Sequence, residues 1–519
     1  MDSFLQRFGH LVVGKLCGLD QLRFRGSKRQ MCYVTGMLSW LGAMHILLKE
    51  YKLWVRDVSV TLCKAIEAPA EQAGLYRYLN NYNDSKENTA LQVAKEHGRT
   101  EGLIAVLGCV EPCQVMQVRG NRQTKQLELR VELAKCKHYY HYYLDPKYGL
   151  RYTRLQSWAP FTMHVGLNGR DWLAKHLDAV GIAYRKNDNS FPWIADFAAA
   201  QRLANEQLTA AWPELLADWS RQNNPLETIF SCPVPYYWSV DTAEYATDFA
   251  FASAVALARL YPRLVQHSVV TLQSSDVLRF LGYHVRADGK PREDLAGEVT
   301  TRVKKLVAGM CVKHRVNNNQ VKMYDKFGEV LRLETSLHDV REFKVYRTKE
   351  NDPDGAMSYL RMRKGVADLH QRAEVSRKVN ERYAASLASV QEKTTLGELT
   401  KDLGKAAPWK GRSVRALNPL ASEDVALLEA VSRGAYLIAG FRNRDIRTIL
   451  FGASTQTAPD ELKRQSGKVT RLLRLLRGHG VIAKIAKTHR YQLSDKGRNS
   501  LSALLAARNA NTEQLMQAA

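Results

Sequence analysis

Between Ala421 and Ala506 the chain carries three helical periods, a pair of short alternating runs and a fourth helical period, and no other stretch restricts its own fold so tightly. Ala421–Arg433 (ASEDVALLEAVSR) opens on Ser422, whose hydroxyl suits it to cap the first free amides of a helix. Arg442–Leu450 (RNRDIRTIL) gives a short second helix, closed by Gly452 and a polar loop with Ser454, Thr455 and Pro459. Asp460–Leu476 predicts a long third helix. Val469, Leu472, Leu473 and Leu476 form its single buried stripe, leaving Lys463, Arg464, Lys468, Arg471 and Arg474 outside. Beyond Gly478 and Gly480, Val481–Leu493 alternates as two strands about Lys487, Thr488 and His489, and Ser494–Ala506 returns to helix. From Lys410 onward there are 19 Lys and Arg against 8 Asp and Glu, whereas the remainder holds 57 against 44. A basic surplus concentrated on one module is the footprint of phosphate neutralisation.

This order of elements resembles the winged-helix domains of bacterial transcription regulators, most closely over Gly467–Gly497 (GKVTRLLRLLRGHGVIAKIAKTHRYQLSDKG). The resemblance implies that the third helix enters the major groove with Gln465, Ser466, Lys468 and Arg471 as base-edge candidates. It further implies that Lys487, His489 and Arg490 form a wing touching phosphate or the minor groove. A winged helix that binds only protein is the alternative.

At 519 residues the chain is too long for one core and is expected to form two to four domains. A net charge of +24 points to a polyanionic partner, and a hydrophobic fraction of 45% is that of an ordinary globular protein. Eight cysteines without framework spacing, and no leader-like N-terminus, lead us to expect reduced thiols in the cytoplasm, with a nucleoid association through DNA. Met31–Leu48 lacks Asp, Glu, Lys and Arg, but Thr35, Gly36, Ser39, Gly42 and His45 dilute it, so a buried helix rather than a membrane span is expected.

The fold class expected is multidomain α+β. A mostly helical N-terminal region over 1–102 includes a helix, polar turn and helix across Glu67–Gly98, capped by Asp84 and Ser85. A central domain with a mixed or antiparallel sheet occupies 103–364, with β-type runs between Leu103 and Gly166. Asn168 then caps a helix that stops at Gly181; further helices are expected over Ala195–Trp219, Thr242–Leu260 and Ser275–Leu281, and a hairpin over Gln320–Leu333. A charged spacer helix over Gly365–Gln391 and a linker at Lys405–Pro419 give a connector at 365–407 and the winged helix at 408–519.

Four groups of residues bear on chemistry. Asp241, Glu244 and Asp248, spaced i, i+3 and i+7, fall on one face of the expected 242–260 helix, where they suit either a divalent cation or a capping box. Cys109, Cys113, Cys136 and His138 offer a zinc set whose spacing is that of no usual ribbon, with buried unliganded thiols as the alternative. Lys137–Tyr143 (KHYYHYY), with Tyr148, Tyr152 and Trp158 and the cations Lys147, Arg151 and Arg154, suits stacking of unpaired bases on whichever strand face is not core. Val321–Leu337 (VKMYDKFGEVLRLETSL) reads as two strands about an Asp325–Gly328 turn. It resembles the paired "Tyr-Asp-Lys" and "Arg-x-Glu" strands of filamentous-phage and rolling-circle replication initiators, which implies that Tyr324, Asp325, Lys326, Arg332 and Glu334 lie beside a nicking site. Such initiators also use a His-x-His pair. This chain has none, and strand alternation puts His138 and His141 on opposite faces.

Over most of its length the chain also resembles a widespread bacterial family without an assigned activity, through phrases such as Cys109-Val110-Glu111-Pro112-Cys113 and Leu167-Asn168-Gly169-Arg170. The expected function is a bacterial protein that binds double-stranded DNA, with a central domain contacting a second DNA or RNA element at a mobile element or replication origin. The alternatives are a Mg²⁺- or Mn²⁺-dependent nuclease or nicking initiator using Asp325, Glu334, Asp241, Glu244 and Asp248, an RNA-binding ribonucleoprotein subunit, and a small-molecule-sensing repressor.

Overall fold

The computed structural model describes residues 3–231, 234–283, 285, 298–306, 309–349, 352, 354–390, 400–409, 411–419, 421–436, 440–452, 458–485 and 488–509. Its first part runs α1 (Ser3–Phe8), β1 (Val12–Ser27), α2 (Val34–Ala43), α3 (Tyr51–Gln72), β2 (Tyr76–Leu79), α4 (Lys86–Glu96), β3 (Gly102–Gly120), β4 (Leu127–Asp145), β5 (Gly149–Gln156) and β6 (Met163–Asn168). It continues with α5 (Gly169–Ala179), β7 (Tyr184–Asn187), β8 (Ser190–Ile194), α6 (Phe197–Thr209), α7 (Trp212–Arg221), α8 (Leu226–Ile229), β9 (Tyr237–Phe251), α9 (Ala254–Gln266) and α10 (Ser274–Phe280). Strands β10 (Val299–Leu306), β11 (Gly309–Val316), β12 (Asn319–Lys326), β13 (Val330–Leu337), β14 (Lys344–Arg347) and β15 (Ser358–Arg361) precede α11 (Leu369–Leu387). The C-terminal part holds β16 (Ala407–Trp409), β17 (Arg412–Val414), α12 (Ser422–Ser432), α13 (Asn443–Phe451), α14 (Pro459–Gly478), β18 (Ile482–Lys484), β19 (Tyr491–Leu493) and α15 (Asp495–Asn509). The chain is thus α+β, and it divides into two compact units.

The first unit comprises 14–250 and 334–377. Its sheet has the order β9-β1-β6-β5-β4-β3-β2, with the Glu334–Leu337 part of β13 beside β9; β1 to β6 and β3 to β5 pair antiparallel, and β2 joins parallel. On one face Leu22, Phe24, Met163, Val165, Leu155 and Tyr139 pack with α3, whose Val55, Val58, Leu62 and Ile66 recur at helical spacing. On the other, Leu107, Cys109, Tyr140 and Tyr142 meet Ala90 and Val93 of α4, which Ser85 caps by accepting from the Asn88 amide. Asn168 caps α5 as the sequence predicts, accepting from Arg170 N and Asp171 N, and Gly181 follows at φ +71°.

The second unit comprises 1–13, 251–333 and 378–519. Within it β10, β11 and β12 form an antiparallel meander. Its buried His314 shares hydrogen bonds with Ser268 (2.8 Å), Tyr383 (3.0 Å) and Thr301 (2.9 Å). Burial lowers this imidazole to about 4. In the unfolded chain it titrates near 6.5, so unfolding takes up a proton between those values. Stability is therefore full above about pH 6.5 and falls by up to about 1.4 kcal/mol per pH unit as pH drops toward 4. His141 of the other unit, also lowered to about 4 by burial, behaves alike. Urea midpoints measured across this window should flatten by one proton in His314→Gln; an unchanged slope would mean the imidazole is already charged in the fold.

Several elements differ from the sequence reading. Residues 1–102 are not uniformly helical, because β1 threads the sheet with Leu22 and Phe24 on one face and Gln21, Arg23 and Arg25 on the other. Thr242–Leu260 is not one helix: Trp238, Val240, Thr242, Tyr245, Thr247 and Phe249 favour the pleated surface of β9, and α9 starts only after the Ser253 cap. The spacer expected over Gly365–Gln391 is instead a packed helix, α11, whose Arg372, Ser376 and Asn380 are buried; Arg372 donates to the Val240 carbonyl at 2.9 Å. The linker expected at Lys405–Pro419 forms the β16–β17 hairpin, and Leu403 and Leu417 join the C-terminal core. Of the apolar Met31–Leu48 run only α2 is α-helical, with Met37, Trp40 and Leu41 buried, and no helix among the described residues is long and apolar enough to cross a membrane.

Candidate functional site

Three carboxylates from three neighbouring strands converge in the first unit. Asp20 of β1, Glu244 of β9 and Glu334 of β13 bring one oxygen each within 4.8 Å of one another, with Asp20 and Glu334 buried and Glu244 half-buried. At an effective dielectric near 20, each such pair of charges repels by about 3 kcal/mol, so the arrangement is suited to a cation. Neighbouring side chains orient the oxygens. Asn168 Nδ2 donates to Asp20 Oδ1 at 3.2 Å, Asn189 Nδ2 to Asp20 Oδ2 at 2.6 Å, and the Ser336 hydroxyl to Glu244 Oε1 at 3.2 Å. An all-oxygen set with fixed carboxylates fits a hard divalent ion such as Mg²⁺ or Mn²⁺. When bound, such an ion would polarise a phosphate oxygen and activate water.

The other carboxylates named from the sequence have different roles. The helical face expected for Asp241, Glu244 and Asp248 does not exist: on strand β9, Glu244 and Asp248 share one face by parity and Asp241 takes the other. Asp241 pairs with Arg23 Nε at 2.6 Å; burial pushes its carboxyl up, but Arg23 together with its other neighbours, Arg25 among them, holds the group below the ordinary range. Asp248 pairs with Arg170 at 3.1 Å. Asp325 sits in the β12–β13 turn, accepting from the Gly328 amide at 2.7 Å, and half-burial raises its carboxyl. Around that turn Tyr324, Lys326, Arg332 and Glu334 are all buried, with the Arg332 guanidinium 6.0 Å from the Tyr324 ring centre.

Asp20 escaped the sequence reading because β1 did. The alternation Gln21, Leu22, Arg23, Phe24, Arg25 was the available signal, and it places Asp20 on the same inward face as Leu22 and Phe24.

The aromatic strands do not present a stacking platform. Tyr139, Tyr140, Tyr142 and Tyr148 are buried and Tyr152 half-buried, because α3 covers one face of β4 and α4 the other. Tyr140 instead donates to Glu111, which also pairs with Arg154 at 2.7 Å; burial opposes ionisation there, yet Arg154 and the Tyr140 hydroxyl among its neighbours together bring Glu111 down to about 2. Of the zinc set, Cys109 turns to Glu111, while Cys113, Cys136 and His138 come together, with His141 on the opposite face as its parity requires.

In the second unit, α12, α13 and α14 close around Leu427, Leu428, Val431, Ile446, Val469, Leu473 and Leu476, and the β18–β19 hairpin and α15 add Ile482, Leu493, Leu501 and Leu504. Ala421 rather than Ser422 occupies the cap of α12; the buried Asp424 accepts from the Asn418 amide and pairs with Arg415 instead. Lys463, Arg464, Lys468, Arg471 and Arg474 all lie exposed on α14. Arg464 also pairs with Glu461 at 2.8 Å, and Lys468 lies 3.5 Å from Glu423. Gln465 donates to Glu461, and the Ser466 hydroxyl donates to Asn443, so these two side chains brace the helix. On the hairpin His489 is exposed and Arg490 donates to the Gly440 carbonyl at 2.9 Å, while Lys487 lies outside the described residues. Arg444 and Lys484, exposed nearby, were not singled out from the sequence.

No protein-family model, no curated protein and no solved structure matches the chain.

Proposed function

We propose that this is a DNA-binding protein whose C-terminal module is a winged helix reading duplex DNA. What carries the reading is α14: one apolar stripe holds it in the core while Lys463, Lys468, Arg471 and Arg474 face solvent, followed by a short hairpin with His489 exposed. A major groove accepts such a helix, and Arg or Lys can bridge guanine O6 and N7. Lys468 and Arg471 are assigned to base edges, Lys463 and Arg474 to phosphate. Residence in the cytoplasm with the nucleoid, and work at a mobile element or replication origin, belong to this proposal. Lys468→Ala with Arg471→Ala should weaken binding to the selected duplex by about 1–3 kcal/mol per lost base contact and relax its sequence preference. Binding unchanged in affinity and preference would place the interface elsewhere.

A second reading, cleavage of phosphodiesters with a divalent metal, is favoured by the convergence of Asp20, Glu244 and Glu334. In it Asn168, Asn189 and Ser336 hold the oxygens, and the DNA-binding module delivers the substrate. Absence of Mg²⁺- or Mn²⁺-dependent cleavage of single-stranded, duplex and hairpin DNA would overturn it. Binding by the aromatic strands to unpaired RNA loses its motive, since those rings are buried.

A further inference from the structure

We infer that Cys113, Cys136 and His138 form a second metal site, specific for a soft divalent ion and best suited to Zn²⁺. It is independent of the DNA-binding and cleavage readings.

The antiparallel register of β3 and β4 sets Cys109 opposite His138, Glu111 opposite Cys136 and Cys113 opposite Ala134. All six therefore point to one face of the sheet. Cys113 and Cys136 are diagonal neighbours, His138 follows two residues later on the same face, and Ala134 is too small to fill the space opposite Cys113. The ligand atoms of the three lie within 4.8 Å of one another. The two sulfurs are 3.2 Å apart, too far for the roughly 2.05 Å of a disulfide. Tetrahedral Zn²⁺, with Zn–S near 2.3 Å, holds two thiolates about 3.8 Å apart, within a small side-chain adjustment of this geometry.

His138 supplies an independent sign of a ligand. Its ring is fully buried, and Nδ1 lies 3.1 Å from the Cys136 carbonyl. With the Nδ1 proton given to that carbonyl, the Nε2 lone pair is what the neutral ring has left, and Nε2 is buried with no hydrogen-bond partner. A histidine that donates one N–H to a backbone carbonyl and keeps the other nitrogen bare is prepared for metal. Leaving that nitrogen bare without an ion costs about 1–3 kcal/mol. Glu111, held by Arg154, Tyr140 and the Cys109 thiol, adds negative charge nearby, its Oε2 being 4.0 Å from His138 Nδ1. Because Cys113 is half-buried, solvent can take the fourth position. Two thiolates and an imidazole select Zn²⁺ over Mg²⁺, the reverse of the oxygen site at Asp20, Glu244 and Glu334.

The test uses the full-length chain purified reduced and without chelator. Elemental analysis should find one Zn²⁺ per chain, and exchange with Co²⁺ should give thiolate-to-cobalt charge-transfer absorption, which the oxygen site does not produce. Cys113→Ser with Cys136→Ser should drop the Zn²⁺ content below about a tenth of an equivalent at wild-type circular dichroism, whereas Cys63→Ser should retain it. Should the double variant fail to fold, alkylation of the wild type decides: Zn²⁺ should shield Cys113 and Cys136 from iodoacetamide, and stripping it should expose them. Cobalt spectra without a thiolate band, the same labelling of both cysteines with and without Zn²⁺, or a Cys113–Cys136 disulfide in protein isolated without reductant would each overturn the assignment.

Discussion

Arg170→Met should destabilise the sheet-bearing unit by about 3–5 kcal/mol, because it breaks a buried ion pair. Arg170 opens α5, and its guanidinium reaches Asp248 Oδ2 of β9 at 3.1 Å and the Ala246 carbonyl at 3.3 Å; the two side chains are 1% and 3% exposed. Gly169 makes this geometry possible, since a Cβ there would collide with the Leu19 carbonyl oxygen and the Gln207 side chain. Removing only the cation takes from the buried Asp248 its ion pair at 3.1 Å. Replacing both partners, as Arg170→Met with Asp248→Leu, should recover most of the loss, because the pair itself is expensive to desolvate. Chemical denaturation of the single and double variants measures this directly. A single-variant loss below about 1 kcal/mol would show that the Asp248 charge is compensated from elsewhere.

The second large effect concerns Glu334. Under the cleavage reading, Glu334→Gln should lower Mg²⁺-dependent strand cleavage by about a thousand-fold, or about 4 kcal/mol of barrier, with little change in duplex binding. Gln keeps the shape of the side chain and removes one of the three carboxylates, so circular dichroism of the variant should match the wild type. Asp241→Asn, on the other face of β9 and paired with Arg23, should leave cleavage intact. Equal loss in the two variants would point to a disturbed sheet rather than a metal site, and activity retained in Glu334→Gln would remove Glu334 from the chemistry.

Several local signals agree with the structure, although Ser422 does not cap α12. The Asn168 cap and Gly181 stop of α5, the Ser85 cap of α4 and the Asp325–Gly328 turn each depend on hydrogen bonds within a few residues. The stripe of α14 is likewise a property of one helix. Segments whose state depends on what covers them were misread. Thr242–Phe251 offers both a helical spacing of acids and a run of β-branched and aromatic residues; burial between β1 and β13 selects the strand. The polar composition of α11 suggested a solvated spacer, yet Arg372 and Asn380 are accommodated by the strand carbonyls of Val240 and Leu333.

By itself the sequence determined the α+β composition, the concentration of positive charge beyond Lys410 and the ends of α5 and of the C-terminal helices to within a few residues, because these follow from residue type and short-range spacing. Only the tertiary structure decided which reactive groups meet. Asp20, Glu244 and Glu334 lie on three strands far apart in the sequence, and Cys113 meets Cys136 only through the β3–β4 register. Strand order and register are set by how whole faces bury their apolar side chains, and that sum over the sheet is not encoded in any local spacing.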